Sequence, residues 1–407
     1  MVQFQLIIDG GQKLEKVQGS AVLLADQLIR GTAYKTAAEL EDAIAQLGSS
    51  ISVSSSKEQF ILYGVALKKN FKPTMQLVSE ILLSPRWDEE ELALNVSAKM
   101  ATLDQQKSSA NTLSSLAYNS LLYGESHVMA KNALGTEASL KAVNMQDLQE
   151  LYTKAFVPQL SLFNVVGDVN MDDVQNASVE LIHNWKKSDR KTVKLLPASK
   201  PEKPQVYFVD FPEAKQSVIR VGTSSMPITD KNYYNGVIAN YILGGGGFAS
   251  ILMQELREAK GYTYGVNSSF NGRKNIGSFD ISTNVRSNVT LESMEIIKNV
   301  LEAYPTVFEE EDLETTKGYL IKSQARNFET HYAKLNILQN IGLYGLPKNY
   351  VAQRQKMVEK MTVKKVKSIA KKYINPKEMI WVVTGDAKTQ KDRLDTLGYG
   401  KAIEIKK

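Results

Sequence analysis

The residues best suited to chemistry in this 407-residue chain are an arginine and a tyrosine seven positions apart. Arg257 falls near the end of a helix predicted over residues 248–260, and Tyr264 lies on the strand predicted next. A guanidinium and a phenol both donate hydrogen bonds, and both suit negative charge that develops on a peptide oxygen. The alternative is that Arg257 pairs with Glu255 or Glu258 at the helix end and that Tyr264 belongs to the core.

The surrounding segment has a clear local pattern. Four glycines precede the helix, and these are Gly244, Gly245, Gly246 and Gly247. No Gly-Lys-Ser or Gly-Lys-Thr follows them, so the run is not a phosphate-binding loop, and we interpret it as a close-packed turn. Gly261 is predicted to cap the end of the helix. Alternation along the following strand predicts that one face carries Tyr262, Tyr264, Val266 and Phe270.

The sequence contains few residues of the types that bind metal ions. The chain has no cysteine and three histidines, His127, His183 and His331, which are isolated from one another in the sequence. No two of them could bind a metal ion from one face of a helix. We interpret the histidines as structural.

A second segment carries a family resemblance. The helix predicted near the N-terminus ends in Arg30-Gly31-Thr32, and it resembles the first helix of the pitrilysin/insulinase zinc metallopeptidases, which holds the motif H-x-x-E-H. Val22, Ala25 and Asp26 stand where that motif has histidine, glutamate and histidine. Ala98 is nearest the position of the third ligand, a glutamate on a later helix. The resemblance therefore implies an inactive-type member, with no metal and no cofactor in this chain.

The same resemblance implies a role for Arg257 and Tyr264. In the family, an arginine and a tyrosine at this spacing reach from the C-terminal domain to the zinc site and hold the substrate carbonyl. We therefore expect a homologous zinc-bearing partner subunit or tethered half, and a peptide substrate enclosed between the two in a clamshell chamber. A glycine-rich loop helps the non-catalytic subunit of mitochondrial processing peptidases to bind peptides, so Gly244–Gly247 are weak candidates for substrate binding. The rival function is a catalytically inactive scaffold or peptide-binding protein of the same fold.

An internal repeat predicts the domain organisation. Gly167-Asp168 and Gly385-Asp386 each follow a buried-strand pattern at the same offset, and further matches keep nearly the same spacing. We expect an α+β protein of two homologous domains, residues 1–195 and 205–407, joined by a linker over 196–204. The resemblance implies that both have the α/β-roll fold of mitochondrial processing peptidase, a largely antiparallel sheet with helices packed on one face.

Composition excludes some partners. The net charge of +6 is a small excess over a dense mixture of both signs, so we expect a solvated surface and no nucleic-acid binding. No apolar run is long enough to span a bilayer. The sequence begins directly with a strand-like segment and shows no signal peptide. We expect a periplasmic protein if the chain is a trimmed part of a longer one, and a cytoplasmic protein otherwise.

Overall fold

The structure is a computed structural model that describes residues 1–405. Ten strands form two sheets in these residues. The strands are β1 (Val2–Asp9), β2 (Ser50–Ser55), β3 (Gln59–Ala66), β4 (Ser161–Gly167), β5 (Gln205–Asp210), β6 (Gln216–Ser224), β7 (Thr263–Gly272), β8 (Gly277–Arg286), β9 (Ile380–Gly385) and β10 (Ile403–Ile405).

Seventeen α-helices accompany the strands over the same residues, with short 3₁₀ and π segments between them. Those of the N-terminal part are α1 (Ser20–Gln27), α2 (Ala37–Gln46), α3 (Phe71–Leu83), α4 (Glu89–Lys107), α5 (Ala110–Tyr123), α6 (Glu137–Ala142), α7 (Met145–Ala155), α8 (Met171–Ala177) and α9 (Val179–Asn184). Those of the C-terminal part are α10 (Tyr233–Asn240), α11 (Ile251–Met253), α12 (Thr290–Val307), α13 (Glu310–Lys322), α14 (His331–Tyr344), α15 (Tyr350–Glu359), α16 (Val363–Tyr373) and α17 (Ala387–Gln390).

The first compact unit is built on a four-stranded antiparallel sheet in the order β2-β3-β1-β4. Period-two alternation along β1 places Phe4, Leu6 and Ile8 on one face, where they are buried in a core with Leu23 and Leu24 of α1. Burial of these side chains fixes α1 against the sheet, because each removes a large apolar surface from water.

The second unit is built on a six-stranded sheet in the order β10-β5-β9-β6-β8-β7. The strands from β9 to β7 are antiparallel, whereas β5 runs parallel to β9 and to β10. Its core contains the fully buried Trp381 and Phe279 together with Ile297 of α12 and Ile369 of α16. Both units therefore confirm the predicted α+β class with largely antiparallel sheets.

Two helices cross the boundary that the sequence predicts between the halves. The first unit comprises residues 1–105, 132–194 and 325–343, and the second comprises 106–131, 195–324 and 344–407. Helix α14 therefore packs on the N-terminal sheet, where its Tyr332 ring contacts Tyr63 of β3, and helix α5 packs on the C-terminal one. Each compact unit thus contains one helix from the other half of the chain.

The contacts of α14 and α5 lie on the sheet faces opposite the main helical layers. In the first unit, the Gln5 side-chain amide donates to the backbone oxygen of Leu335 over 3.2 Å. In the second unit, the hydroxyl of Tyr118 on α5 lies directly over Gly222 of β6, where a Cβ atom would come within 2.1 Å of it. A glycine is needed at that point because any side chain would push α5 off the sheet.

The helices that the structure describes were compared with the length and apolar character of membrane-spanning segments. No helix within residues 1–405 combines the length and the apolar composition that crossing a membrane requires.

Candidate functional site

The region that the family resemblance matches to the metal site contains polar contacts between α1 and α4. The Nζ atom of Lys99 lies 2.6 Å from a carboxylate oxygen of Asp26, and both side chains are about three-quarters buried. One turn away, the buried Gln27 accepts a hydrogen bond from Asn95 over 3.5 Å. The α4 residues are four positions apart, so they form one stripe along that helix facing α1. An ion pair and an amide pair therefore join the two helices.

The other two positions of the motif are apolar and belong to the core. Ala25 is 1% exposed, and Val22 is half-buried against the same apolar cluster. Neither side chain has an atom that could bind a metal ion or accept a proton. Across residues 1–405, no three histidine, cysteine, aspartate or glutamate side chains come together as a metal site. With a lysine ammonium already paired to Asp26, these residues do not fit a zinc ion.

The α4 side chain that contacts Asp26 is Lys99. It lies one position after Ala98, the residue that the family resemblance suggests. Ala98 is exposed on the outer face of α4, whereas its neighbour Lys99 reaches Asp26. The sequence contains a signal for the role of Lys99, because Glu91, Asn95 and Lys99 recur every four residues and so share one face of α4. Glu91, on the same face, lies 3.8 Å from Arg30, which follows α1.

The structure brings Arg257 and Tyr264 into direct contact. The Nη1 atom of Arg257 donates a hydrogen bond to the backbone oxygen of Tyr264 over 2.8 Å. The Arg257 guanidinium also lies 4.6 Å from the centre of the Phe248 ring and 3.6 Å from Glu258. The Tyr264 ring is 88% exposed, and its hydroxyl makes no hydrogen bond to any residue that the structure describes. A guanidinium held by three neighbours thus lies beside an exposed phenol.

Irregular backbone segments set the directions of the Arg257 and Tyr264 side chains. Arg257 lies in a π segment, Gln254–Ala259, which continues from α11 and alters the direction of its side chains. On β7, the register against β8 shifts between Thr263 and Val266, which is a β-bulge. The Thr283 hydroxyl donates to the Gly265 oxygen over 2.9 Å and so holds the bulged segment. A bulge of this kind commonly re-aims a side chain at a sheet edge.

The bulge overturns the predicted alternation along this strand. Val266 and Phe270 are buried in the core, and Tyr262 packs partly against it, but Tyr264 points into solvent. The prediction that Tyr264 shares a face with these three residues was wrong, because Tyr264 lies inside the bulge, where the period-two alternation is interrupted. The alternative in which Tyr264 belongs to the core was wrong for the same reason.

The glycine run forms a tight turn between two helical segments. Tyr241–Gly245 is a π segment, and a short 3₁₀ segment, Gly247–Ala249, follows it. A Cβ atom on Gly244 would lie 2.4 Å from the Ser268 hydroxyl, whereas Gly247 has open space around it and a φ of +57°. The run is packed against the core at its start and free at its end.

His127 and His183 each form hydrogen bonds to backbone groups. His127 Nδ1 accepts from the backbone N–H of Met129, so its other nitrogen donates to the backbone oxygen of Leu196 over 3.1 Å. His183 Nδ1 contacts the backbone oxygen of Val179, four residues earlier on α9. Within residues 1–405, none of the three histidines belongs to a group of side chains that could hold a metal ion.

A second polar cluster lies under α5, on the face of the C-terminal sheet that carries Gly222. Burial raises the pKa of Asp280, although the amide of Asn271 donates to its carboxylate and Arg220 lies near it. Burial also raises the pKa of Tyr118, and the charge of Asp280 adds to that effect. The Tyr118 hydroxyl has no hydrogen-bond partner in the described part of the chain. This cluster is a structural polar site beneath a packed helix.

The fold and the altered ligand positions agree with a sequence comparison. Residues 1–130 match the family described as insulinase (peptidase family M16), and residues 142–320 match the peptidase M16 inactive domain. These two matches together span more than half of the chain. The protein belongs to the insulinase family of peptidases, as an inactive-type member.

Individual relatives agree with this assignment. The chain is 24% identical over 399 residues to a non-peptidase homologue named YmxG from Helicobacter pylori, a match that covers 94% of this chain and 88% of that one. A crystal structure of a peptidase M16 inactive domain from Pseudomonas fluorescens has a TM-score of 0.88 at 24% identity, covering 96% of this chain and 94% of that one. The periplasmic protease PqqL from Escherichia coli has a TM-score of 0.78 at 16% identity. The match covers 95% of this chain but only 43% of the PqqL chain.

Proposed function

We propose that this chain is the non-catalytic subunit or half of a two-part zinc metallopeptidase. It supplies Arg257 and Tyr264 to a zinc site on a homologous partner and forms part of a chamber that holds a peptide substrate. The observation that carries the proposal is the contact of Arg257 Nη1 with the Tyr264 backbone over 2.8 Å, next to an almost fully exposed phenol. A core role would bury the ring, whereas Tyr264 is the most exposed large hydrophobic residue in the described part of the chain.

The chemical role follows from the donors that remain. The Tyr264 hydroxyl makes no hydrogen bond within residues 1–405, and the Nη2 group of Arg257 makes none there either. Both can therefore donate to the carbonyl oxygen of a bound peptide. Negative charge grows on that oxygen when the scissile carbonyl is attacked, so preorganised donors stabilise the transition state more than the substrate. Holding Arg257 on Phe248 and on the bulge reduces the entropy lost when the peptide binds.

The metal ion and the general base are assigned to the partner. The positions of the motif in this chain are two apolar side chains and an ion pair, which cannot hold zinc. A two-part arrangement is supported by the match to the longer Escherichia coli protease, of which this chain spans less than half. That length leaves room in such a protein for a second segment of similar size.

A peptide in this scheme meets an available strand edge. Strand β7 is an outer strand of the C-terminal sheet and carries Tyr264 at its bulged end. Backbone groups on an outer strand can pair with an extended peptide, and exposed side chains beside them select among sequences. The exposed Asn267 and Asn271 lie farther along the same strand.

Reconstitution tests the proposal. The chain is co-expressed with a homologue that carries the H-x-x-E-H motif, and the purified material is assayed for assembly by size exclusion and for cleavage of peptides. We expect a complex with chelator-sensitive peptidase activity and no cleavage by this chain alone. A partner that is fully active alone, and unaffected by this chain, would contradict the proposal.

The alternative is a catalytically inactive scaffold or peptide-binding protein of the same fold. The name of the Helicobacter pylori relative as a non-peptidase homologue favours it. Under this alternative the chain binds peptides or partners with no effect on cleavage, and substitutions at Tyr264 leave the activity of any complex unchanged.

A further inference from the structure

Positive charge is concentrated in one short segment of the second unit. Residues 344–378 contain ten of the 50 basic residues and two of the 44 acidic ones, although the whole chain carries a net charge of only +6. The rest of the chain is therefore slightly acidic. The charges of the whole chain nearly balance, but residues 344–378 are strongly basic.

Helix α16 displays most of that charge on a single face. Its Val366, Ile369 and Ala370 are buried in the core of the second unit. The lysines on its opposite face are exposed, and Lys360 and Lys377 flank them at the two ends of the helix. We call these six residues the basic face, which consists of Lys360, Lys364, Lys365, Lys371, Lys372 and Lys377. Pairs seven residues apart, as in 364/371 and 365/372, lie on the same side of a helix.

Nearby carboxylates do not neutralise this face. None of its six lysines forms an ion pair with any residue in the described range. The two acidic residues of the segment are engaged elsewhere, since Glu359 accepts from Gln355 and Glu378 pairs with Lys200 over 2.5 Å. Lys367, which is partly buried, donates to the backbone oxygen of Thr306. The exposed ammonium groups therefore keep their full charge toward solvent.

We propose that the basic face binds the anionic headgroups of a lipid bilayer. Its charge is spread over exposed lysines, and a Lys ammonium near an anionic surface gains attraction that adds from one side chain to the next. The apolar side of α16 is committed to the core, so the helix lies on the headgroups and does not insert into the acyl layer. Binding is then electrostatic and reversible by salt.

The composition of the face separates a bilayer from other anionic partners. Protein interfaces are enriched in aromatic side chains and arginine and depleted in lysine. No large hydrophobic side chain is exposed within residues 344–378, and the one arginine there, Arg354, is stacked between Tyr234 and Tyr350. A specific protein partner would find no anchor on such a face. The Tyr373 ring at this face is half-buried and covered by the Lys372 ammonium at 5.1 Å, so a nucleic acid would find neither a free ring for stacking nor a bidentate arginine.

Vesicle co-sedimentation tests the proposal with the full-length protein. We compare vesicles of pure phosphatidylcholine with vesicles containing about one third phosphatidylglycerol, at low salt and at about 0.5 M salt. The α16 variant replaces four lysines by glutamine and consists of Lys364→Gln, Lys365→Gln, Lys371→Gln and Lys372→Gln. A matched control removes the same charge from exposed lysines of the first unit, at Lys186→Gln, Lys187→Gln, Lys191→Gln and Lys194→Gln.

We expect binding to the anionic vesicles only, lost at high salt and weakened at least about tenfold in the α16 variant but less than about twofold in the control. Circular dichroism and thermal melting check that both variants fold. Absence of binding by the unaltered protein, or equal weakening in both variants, would overturn the proposal. Displacement by inorganic phosphate at the same phosphate concentration, or tighter binding to a DNA duplex than to the vesicles, would also overturn it.

Discussion

Lys99 of helix α4 forms a 2.6 Å ion pair with Asp26 of helix α1, the residue that the family resemblance matches to the last histidine of the zinc motif. If that match holds, an ammonium group faces the side of α1 on which the motif would bind its metal ion. The pair is flanked by the Gln27–Asn95 contact and by the apolar Ala25. An ion pair, an amide pair and an apolar residue therefore lie together on the surface between these two helices.

The ion pair is expected to stabilise the first unit. Because both side chains are about three-quarters buried, Lys99→Met leaves a partly desolvated carboxylate and should lower the free energy of unfolding by about 1–2 kcal/mol. The double variant Asp26→Asn/Lys99→Met should recover part of that loss. Urea unfolding of the single and double variants gives the coupling energy, which we expect to be about 1 kcal/mol. Strictly additive losses would mean that the pair contributes nothing beyond packing.

Restoring the motif should restore zinc only when Lys99 is also changed. The triple variant Val22→His/Ala25→Glu/Asp26→His rebuilds the first-helix residues but leaves an ammonium beside the metal position, which opposes cation binding. Adding Lys99→Glu removes that charge and supplies the missing carboxylate ligand. Elemental analysis after dialysis should find near-stoichiometric zinc in the quadruple variant and little in the triple variant.

The matched control is the triple variant with Ala98→Glu in place of Lys99→Glu. Ala98 is exposed on α4 and does not face α1, so its glutamate should not complete the site. Zinc retention with Ala98→Glu and not with Lys99→Glu would show that sequence comparison had found the facing position and that the contact with Lys99 is incidental.

Two substitutions in the glycine run should differ in their effect on stability. Gly244→Ala places a methyl group 2.4 Å from the Ser268 hydroxyl and 3.0 Å from its backbone nitrogen, so we expect a loss of about 1–3 kcal/mol. Gly247→Ala meets no atom, and its positive φ should cost about 1 kcal/mol. Thermal unfolding measures both. Weaker peptide binding by a stable Gly247→Ala protein would instead assign the run to substrate binding.

The buried Asp280 should make stability depend on pH. Since burial raises its pKa, the folded protein keeps this proton at a pH where the unfolded chain has released it. The stabilisation is fully present below the unfolded pKa of about 3.9 and is lost as the pH rises through the folded pKa. Relative to the unaltered protein, Asp280→Asn should therefore gain stability as the pH rises from 4.

Urea unfolding at a series of pH values measures that gain, and each unit by which the pKa is raised corresponds to about 1.4 kcal/mol. Asp172→Asn, on the exposed start of α8, is the control and should change little across the same range. A difference between Asp280→Asn and the unaltered protein that stays constant with pH would contradict the effect.

Local patterns in the sequence were sufficient for most of the fold. Gly261 follows the helical segment that ends at Ala259 and has a φ of +60°, as predicted for a C-cap glycine.

Tertiary contacts account for what the sequence could not predict. The exchange of α5 and α14 depends on sheet faces far away in the chain, such as the Gly222 surface beneath Tyr118. The bulge that exposes Tyr264 is held by Thr283 on the neighbouring strand, which no pattern within β7 reveals. Likewise, the four-residue spacing of Glu91, Asn95 and Lys99 indicates one face of α4, but only the contact with Asp26 shows which helix that face meets.

The contribution of Tyr264 to peptide cleavage is the most direct test, measured as kcat in the complex reconstituted with a zinc-bearing homologue. Tyr264→Phe removes one hydroxyl from an exposed ring, so assembly and stability should stay unchanged. Loss of one transition-state donor should lower kcat about 100- to 1000-fold, or roughly 2.7–4 kcal/mol. Arg257→Lys should also impair kcat, because lysine lacks the planar fork that reaches the Tyr264 backbone and a substrate together.

Tyr262→Phe is the control, because Tyr262 packs partly against the core two residues away and should leave kcat nearly unaltered. A large fall in kcat for Tyr264→Phe, with intact assembly and a silent control, is the result that we predict. Equal and small effects of the two substitutions in an active complex would contradict the assignment of Tyr264 to the partner's zinc site.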